Sequence, residues 1–261
     1  MDIAKFFTRP DEGLYGAAIY TQLDYDGLTM GVENVLFSFG ADWKDENNNV
    51  MGVVNSPEAV AALEYYRELY TCCAPPGTSN AFFQETNDAF VSGQAAMIMN
   101  YFAFFPALTN ESINPYAATT GFFANPAGPN GDRYAALGGQ GLSINAYISP
   151  ERQEAAKDFI RWFAQEEVQA KWGALGGYTC NINVLQSEEF LEVAPYNAAF
   201  AETMTFVKDF WNVPVFGELL EIAQREMHEY VVGGEGTAQE AMDTIAQEWD
   251  PILRDAGLIT E

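Results

Sequence analysis

Apolar residues recur along this chain mostly at helical spacing, behind recognisable helix starts. Ser56-Pro57-Glu58 combines a serine cap, a proline at the first helical position and an early acid, which predicts a helix start. Ser149-Pro150-Glu151 repeats this pattern, and Thr237-Ala-Gln-Glu240 is typical of a capping box. The predicted apolar faces are Val60, Leu63, Tyr66 and Tyr70; Ala156, Phe159, Ile160 and Phe163; and Met242, Ile245 and Trp249.

Shorter patterns predict the remaining elements. Helices are expected over residues 24–38, 83–92, 166–175, 206–211 and 218–231, and strands over 14–20, 95–99 and 142–148. Residues 114–132 are rich in Gly, Pro and Asn and predict a loop. Short strands followed by helices indicate an α/β fold, although the strands are too few for a complete large sheet.

Residues 90–106 form the most informative stretch. Gly93 ends a predicted helix, and the apolar run 95–99 suits a buried strand. Asn100, Tyr101 and Phe102 follow at the carboxyl end of that strand, where ligands of open α/β sheets collect. An amide beside flat rings can hold a sugar through its hydroxyls and its C–H face. A core strand that runs into a core helix explains the same residues equally well.

The balance of charge narrows the choice of partners. The 261 residues include 37 acidic and 12 basic side chains, giving a formal charge of −25. So acidic a chain repels phosphate backbones and anionic lipid, which argues against nucleic acid and membrane surfaces as partners. We expect a solvated surface in a salty or exposed compartment.

Motifs for several common chemistries are missing from the sequence. There is no P-loop, HExxH or GxSxG pattern, and His228 is the only histidine, so a catalytic triad and a structural zinc site are not expected. Asp45-x-Asn47-x-Asn49 imitates the start of a calcium loop but is interpreted as a polar turn. For Cys72, Cys73 and Cys180 we expect free buried thiols, with a disulfide to Cys180 as the alternative.

Aromatic residues are the remaining positive signal. Trp43, Tyr101, Phe102 and Tyr178 each lie beside Gly, Asn or Asp in predicted loops, which favours a binding surface. Core packing is the alternative for each ring taken singly.

Four segments, in order along the chain, resemble those of extracellular solute-binding proteins, family 1, the sugar-receptor subunits of ABC importers. They are GADW with NSPEA (residues 40–43 and 55–59), FVSGQAAM followed by Tyr101 (90–101), GGQGLSI (138–144), and EAAKDFIRW with EVQ (154–169). Tyr101 stands where these receptors often carry Trp, and Gly40-Ala41 replaces a Gly-Gly, so the ligand's identity stays open.

The resemblance implies an α/β fold of the type II periplasmic-binding-protein kind, in which two lobes close on a ligand. The chain would supply the second lobe and the segments that return toward the first, with the N-terminal lobe largely missing and no signal peptide present. We expect a second-lobe α/β core over residues 1–135, a returning segment over 136–177 and a C-terminal helical part over 178–261.

The resemblance also implies a function. The chain would capture a carbohydrate or similar polyol without converting it, deliver it to membrane permease subunits, act as a monomer without a cofactor or metal, and lie in the periplasm or at the cell surface. A carbohydrate-active hydrolase and a non-catalytic helical interaction module remain as alternatives. The expected ligand-binding residues are Asp42, Trp43, Asn100, Tyr101, Phe102, Gly138, Gly139, Gln140 and Tyr178.

Overall fold

Two compact units make up the chain. The computed structural model describes residues 1–24, 26–139 and 141–259. Unit 1 comprises Met1–Thr120, Asn125–Leu137 and Phe206–Glu261, and unit 2 comprises Gly121–Ala124 and Gly138–Thr205. These divisions lie near residues 137 and 205, whereas the sequence prediction placed boundaries at 135 and 177. Which lobe each unit represents stays a prediction.

Unit 1 is mainly helical. Its helices are α1 (Asp2–Phe7), α2 (Gly27–Ser38), α3 (Pro57–Cys73), α4 (Phe83–Val91), α10 (Phe216–His228) and α11 (Ala238–Asp255), with a 3-10 segment at Phe102–Thr109 and a π-helical turn at Glu229–Gly233. The predicted helix starts are confirmed. The Ser56 side chain accepts a hydrogen bond from the N–H of Ala59 (3.3 Å), and Thr237 with Glu240 forms the capping box of α11.

The extended segments of unit 1 run parallel to one another. Tyr15 bridges Ala95 and Ala18 bridges Ile98, so the predicted strands at 14–20 and 95–99 pair, although only through isolated bridges. A second parallel pair joins β1 (Ala135–Ala136) to β2 (Val207–Lys208). The helix predicted over 206–211 is therefore wrong, because the carbonyl groups of Phe206 and Lys208 accept hydrogen bonds from the N–H groups of Ala135 and Leu137. The strand predicted over 142–148 is also wrong, since its described residues are irregular.

One hydrophobic core joins α1, α2, α3, α10 and α11, while Ala89 of α4 packs in a separate small cluster with Ala18 and Ala95. Met242, Ile245 and Trp249 of α11 are fully buried, which confirms the predicted inward face of that helix. Trp249 packs against Trp43 with ring centroids 5.7 Å apart and donates its indole N–H to the carbonyl oxygen of Leu219 (2.8 Å). Burial of such large side chains is the main stabilising contribution to the fold.

Unit 2 consists of short helices with a thin core. They are α5 (Pro150–Phe163), α6 (Glu166–Ala174), α7 (Ile182–Leu185), α8 (Glu188–Val193) and α9 (Asn197–Thr203). The predicted apolar face of α5 is only partly covered: Ala156, Ile160 and Phe163 are half-buried, whereas Phe159 is 53% exposed. Its rings pack against one another and against Trp172 of α6.

The cysteine prediction is also corrected. Cys72 and Cys73 form a disulfide with each other at the end of α3, whereas Cys180 is a free, exposed thiol in unit 2. Because Cys72 and Cys73 are adjacent in the chain, their sulfur atoms can meet without closing a loop of intervening residues. Among the described residues, no helix combines the length and the apolar character needed to span a membrane.

Candidate functional site

The candidate site lies where the two parallel segments of unit 1 end. The N–H of Tyr15 donates to the carbonyl of Gln94 (2.8 Å), and the N–H of Ala18 donates to that of Met97 (2.9 Å). This register brings the carboxyl ends of both segments, Tyr20 and Asn100, to the same edge. Ligands of α/β proteins bind at this edge because the following loops converge there.

Asn100 anchors the end of the second segment. Its side-chain oxygen accepts hydrogen bonds from the hydroxyl of Tyr20 and from the backbone N–H of Tyr101 (2.8 Å). Its amide nitrogen donates to the carbonyl of Phe83 (2.9 Å) and to Asn87 (2.8 Å) in α4. Groups of the protein itself hydrogen-bond both the oxygen and the nitrogen of the Asn100 side-chain amide. Asn100 therefore serves mainly to orient Tyr101 and not to hydrogen-bond a ligand.

Three rings gather beside Asn100. The centroid of the Tyr20 ring lies 4.8 Å from that of Phe82 and 6.0 Å from that of Tyr101. Tyr20 is buried, and burial raises the pKa of its hydroxyl, so this group stays a neutral hydrogen-bond donor. Phe82 and Tyr101 are only half-buried and retain exposed surface. We call Tyr20, Asp26, Phe82, Asn100 and Tyr101 the aromatic corner.

Asp26 brings a carboxylate to the aromatic corner at the start of α2. It is close enough to Tyr20 for its charge to help raise the pKa of that hydroxyl, and the next residue, Gly27, lies against the Phe82 ring. Asp26 is the N-cap residue of α2, but its side chain makes no capping hydrogen bond. Within the described residues its Oδ1 is buried without a hydrogen-bond partner, and burial raises the pKa of the carboxyl.

Gln224 of α10 fixes the loop that carries Asp26. Its side-chain oxygen accepts hydrogen bonds from the N–H (2.8 Å) and the hydroxyl (2.9 Å) of Thr29, and its amide donates to the carbonyl of Leu23 (3.3 Å). Gln224 is itself buried. A helix distant in sequence therefore positions the start of α2 and the backbone at Leu23.

Asp42 and Trp43 lie at a different place in unit 1. Trp43 is only 1% exposed and packs against Phe37, Phe210 and Trp249, so the expectation that its ring is exposed and stands clear of the core is corrected. Asp42 forms an ion pair with Lys208. Both residues line an open cavity of about 480 Å³ with Lys208, Asp209 and Trp211, and no member of the aromatic corner lines that cavity.

Glu33 lies behind Trp43 on α2. Its Oε1 accepts a hydrogen bond from the indole N–H of Trp43 (2.8 Å), while its Oε2 has no partner among the described residues. Burial raises the pKa of this carboxyl from 4.5 to about 8.

The other sequence-predicted site residues divide between the units. Phe102 begins the 3-10 segment beside Tyr101 and contacts Phe105. Gly138 and Gly139 are exposed in unit 2, and Gly139 does not adopt a left-handed φ. Tyr178 packs on Phe200 (4.8 Å) in an aromatic cluster of unit 2. Gln140 lies outside the described residues.

Sequence reasoning missed Tyr20, Asp26, Phe82 and Gln224. Tyr20 ends the first predicted strand, so applying the strand-end rule to both strands would have found it. Asp26 and Phe82 each immediately precede a helix. Gln224 lies within an amphipathic helical pattern, and nothing in that pattern indicates that its side chain bonds Thr29 and Leu23.

The Asp45 loop is a closed polar turn. The Asp45 carboxylate accepts hydrogen bonds from the N–H groups of Asn47 and Asn49 and from the Asn49 side chain, each at 2.8 Å. In the part of the chain that the structure describes, no cluster of three or more His, Cys, Asp or Glu side chains could hold a metal ion.

The chain belongs to the bacterial extracellular solute-binding proteins, whose family model matches residues 8–170. A probable ABC transporter-binding protein of Deinococcus radiodurans is 29% identical over 189 residues, covering 72% of this chain and 44% of that protein. The mannitol-binding protein of Pseudomonas aeruginosa is 26% identical over 208 residues, covering 78% and 47%. The chain therefore spans less than half the length of either relative.

Solved structures define the fold. The maltose-bound MalE3 of T. maritima has a TM-score of 0.84 and 29% identity, with 97% of this chain and 64% of that chain covered. A ribitol complex of a solute-binding protein from Agrobacterium radiobacter K84 gives a TM-score of 0.80 at 22% identity, covering 96% and 63%. The expected fold class, part of a type II periplasmic binding protein, is confirmed.

Proposed function

We propose that this chain forms part of the substrate-binding subunit of an ABC importer, which captures a carbohydrate or similar polyol without converting it. One observation carries the proposal: rings, a buried hydroxyl and a carboxylate converge at the carboxyl edge of parallel segments. Rings cover the C–H face of a sugar, and polar groups bind its hydroxyls. Relatives named for mannitol, ribitol and maltose binding support this ligand class.

The partners follow from the same proposal. A subunit of this family would work as a monomer in the periplasm or at the cell surface and would hand its ligand to membrane permease subunits. We expect Tyr101 and Phe82 to contact the ligand, with Asn100 holding Tyr101 in place. The predicted roles of Gly138, Gly139, Gln140 and Tyr178 in ligand binding stay predictions.

Affinity should be low for the chain by itself. A ligand that contacts only the aromatic corner keeps much of its hydration, because ligand sites normally bury most of the ligand surface. We expect a Kd in the millimolar range, which nuclear magnetic resonance detects and titration calorimetry does not.

The experiment is a titration of the chain with mannitol, ribitol and maltose, followed through ¹³C-labelled methionine methyl groups. Met30 lies one turn from Asp26 on α2 and reports on the aromatic corner, while Met51, which is 49% exposed, serves as the control. Saturable shifts of Met30, with no shift of Met51, are expected with at least one compound. Absence of any saturable shift contradicts the proposal, and chromatography that finds hydrolysed maltose would instead support the hydrolase alternative.

A further inference from the structure

Asp26 carries a buried acceptor that no described residue fills. Its Oδ1 is buried without a partner among the described residues, and burial alone accounts for the direction in which its pKa moves, with no lysine or arginine opposing it. An unpaired buried acceptor is costly, and the described protein groups leave the charge of this carboxylate largely uncompensated.

Every lysine and arginine of unit 1 is engaged elsewhere in that unit. Lys5, Arg9, Lys208, Arg225 and Arg254 contact the carboxylates of Glu68, Glu12, Asp42, Glu248 and Asp250 respectively. Lys44, Arg67 and Arg133 lie over the rings of Trp211, Tyr230 and Phe206. The aromatic corner therefore has no cation of its own unit beside Asp26 to neutralise an anionic ligand.

The amino terminus of α2 is equally closed to anions. Its first four N–H groups donate within the protein: Gly27 to Asp24 (3.4 Å), Leu28 to Gln22 (3.0 Å), Thr29 to Gln224 (2.8 Å) and Met30 to Asp26 (2.8 Å). A helix terminus binds an anion only through free N–H groups. An anion at this position would face the Asp26 carboxylate with no compensating donor.

We propose that Asp26 sets the charge class of the ligand: its uncompensated negative charge favours a neutral or cationic polyol and excludes anionic sugars such as uronates, aldonates and sugar phosphates. This inference rests on the proposed function and narrows its substrate class. Asp26 would thus be a residue that determines specificity.

Three six-carbon compounds of matched configuration test the proposal. D-sorbitol is neutral, D-glucamine carries a terminal ammonium, and D-gluconate carries a terminal carboxylate. Each is titrated into the full chain at pH 7.5 with the Met30 methyl as reporter and Met51 as control. We expect gluconate to bind about tenfold or more weakly than sorbitol, since a like charge at close range opposes it, and glucamine to bind at least as well as sorbitol.

Asp26→Asn removes the charge while keeping a residue favoured at helix N-caps. It should reduce the discrimination against gluconate to about threefold or less. Asp11→Asn is the matched control, because it makes the same charge change at an exposed position. Asp11 precedes the first extended segment, whereas Asp26 follows the carboxyl end of that segment, where the aromatic corner lies. Asp26→Ser gives the same readout if the asparagine variant does not fold.

The outcomes separate the two proposals. If sorbitol binds but gluconate binds equally well, or if Asp26→Asn leaves the ratio unchanged, Asp26 does not set the charge class although the receptor function stands. A comparable effect of Asp11→Asn would mean that net charge, and not Asp26, is responsible. If no polyol shifts Met30, the proposed function fails and this inference fails with it.

Discussion

Tyr101 carries a large share of the expected ligand contact at the residue scale. Its ring lies beside Tyr20 and is half-buried, so it can cover a ligand without being part of the core. Tyr101→Ala should weaken polyol binding by about 1–3 kcal/mol, the range found for anchoring aromatic residues. The melting temperature of the Tyr101→Ala variant should stay close to that of the parent protein.

Binding titration and thermal unfolding of the same sample check this prediction. Tyr147→Ala is the control, because Tyr147 is 99% exposed and lies in unit 2. If Tyr101→Ala costs about 3–5 kcal/mol of stability, as an emptied core site does, the ring is structural.

The raised pKa of Glu33 predicts how the stability of the protein depends on pH. Burial raises the pKa of Glu33 from 4.5 to about 8, even though the indole N–H of Trp43 favours its charged form; the nearby charges of Asp209 and Asp26 raise it further, and Lys208 opposes them. Between about pH 5 and pH 8 the folded chain holds a proton on Glu33 that the unfolded chain has lost. The free energy of unfolding therefore falls as pH rises through this window, by up to about 1.4 kcal/mol per pH unit.

Glu33→Gln should flatten this dependence, because glutamine keeps an acceptor for Trp43 and cannot ionise. Urea unfolding of both proteins at a series of pH values between 5 and 9 measures the two slopes. Equal slopes would show that Glu33 does not carry the effect. Glu58→Gln, an exposed change on α3, should leave the slope as it is in the parent.

At the scale of elements, Gln224 connects α10 to the start of α2. Gln224→Leu keeps the approximate size of the side chain but leaves the buried N–H of Thr29 without this partner. It also removes the hydrogen bond to the carbonyl of Leu23, a residue that is 47% exposed. We expect a loss of about 1–3 kcal/mol of stability for each buried polar group left unsatisfied. Chemical unfolding measures this loss. Gln239→Leu on α11 should change little, because Gln239 is exposed and its amide bonds only Asp243 in the described contacts.

If Gln224→Leu also holds Leu23 and the start of α2 in place less firmly, polyol binding should weaken in a variant that remains folded. Unchanged stability and unchanged affinity together would contradict the assigned role of Gln224. Loss of stability alone would confine the role to packing.

At the scale of the whole molecule, the formal charge of −25 controls stability through self-repulsion. Salt shortens the range of this repulsion from about 10 Å at 0.1 M to about 3 Å at 1 M. Raising NaCl from 0.1 M to 1 M should therefore stabilise the chain by on the order of 1–2 kcal/mol, or about 2–8 °C in melting temperature. Differential scanning fluorimetry in NaCl and in KCl should give the same rise, and a constant or falling melting temperature would contradict the prediction.

Much of the fold could be predicted from local sequence, and the failures have identifiable physical causes. The helices behind Ser56, Ser149 and Thr237 were predicted because caps and apolar spacing act within one or two turns. The helix predicted over 206–211 was wrong because β1, some 70 residues earlier, supplies a pairing partner. The apolar face of α5 is only partly buried, because apolar spacing indicates a surface that can be buried and the neighbouring elements decide how far it is covered.

The candidate site shows the same division. Asn100 and Tyr101 were identifiable because they follow an apolar run at a strand end, and the family could be inferred from four short segments in order. Trp43 was expected at the surface, but its burial depends on Trp249 and Phe210, which lie far along the chain.

By itself the sequence determined the helix starts at Ser56, Ser149 and Thr237, the acidity, the family, and Asn100 and Tyr101 of the aromatic corner, because these depend on residues close together in the chain. Only the tertiary structure brought Tyr20, Asp26 and Phe82 to Tyr101, and it left Asp26 Oδ1 without a partner among the described residues. Contacts across 60 to 200 residues decide which polar groups are satisfied by the protein and which are left for a ligand. No local pattern records that choice, since it depends on the geometry of several elements at once.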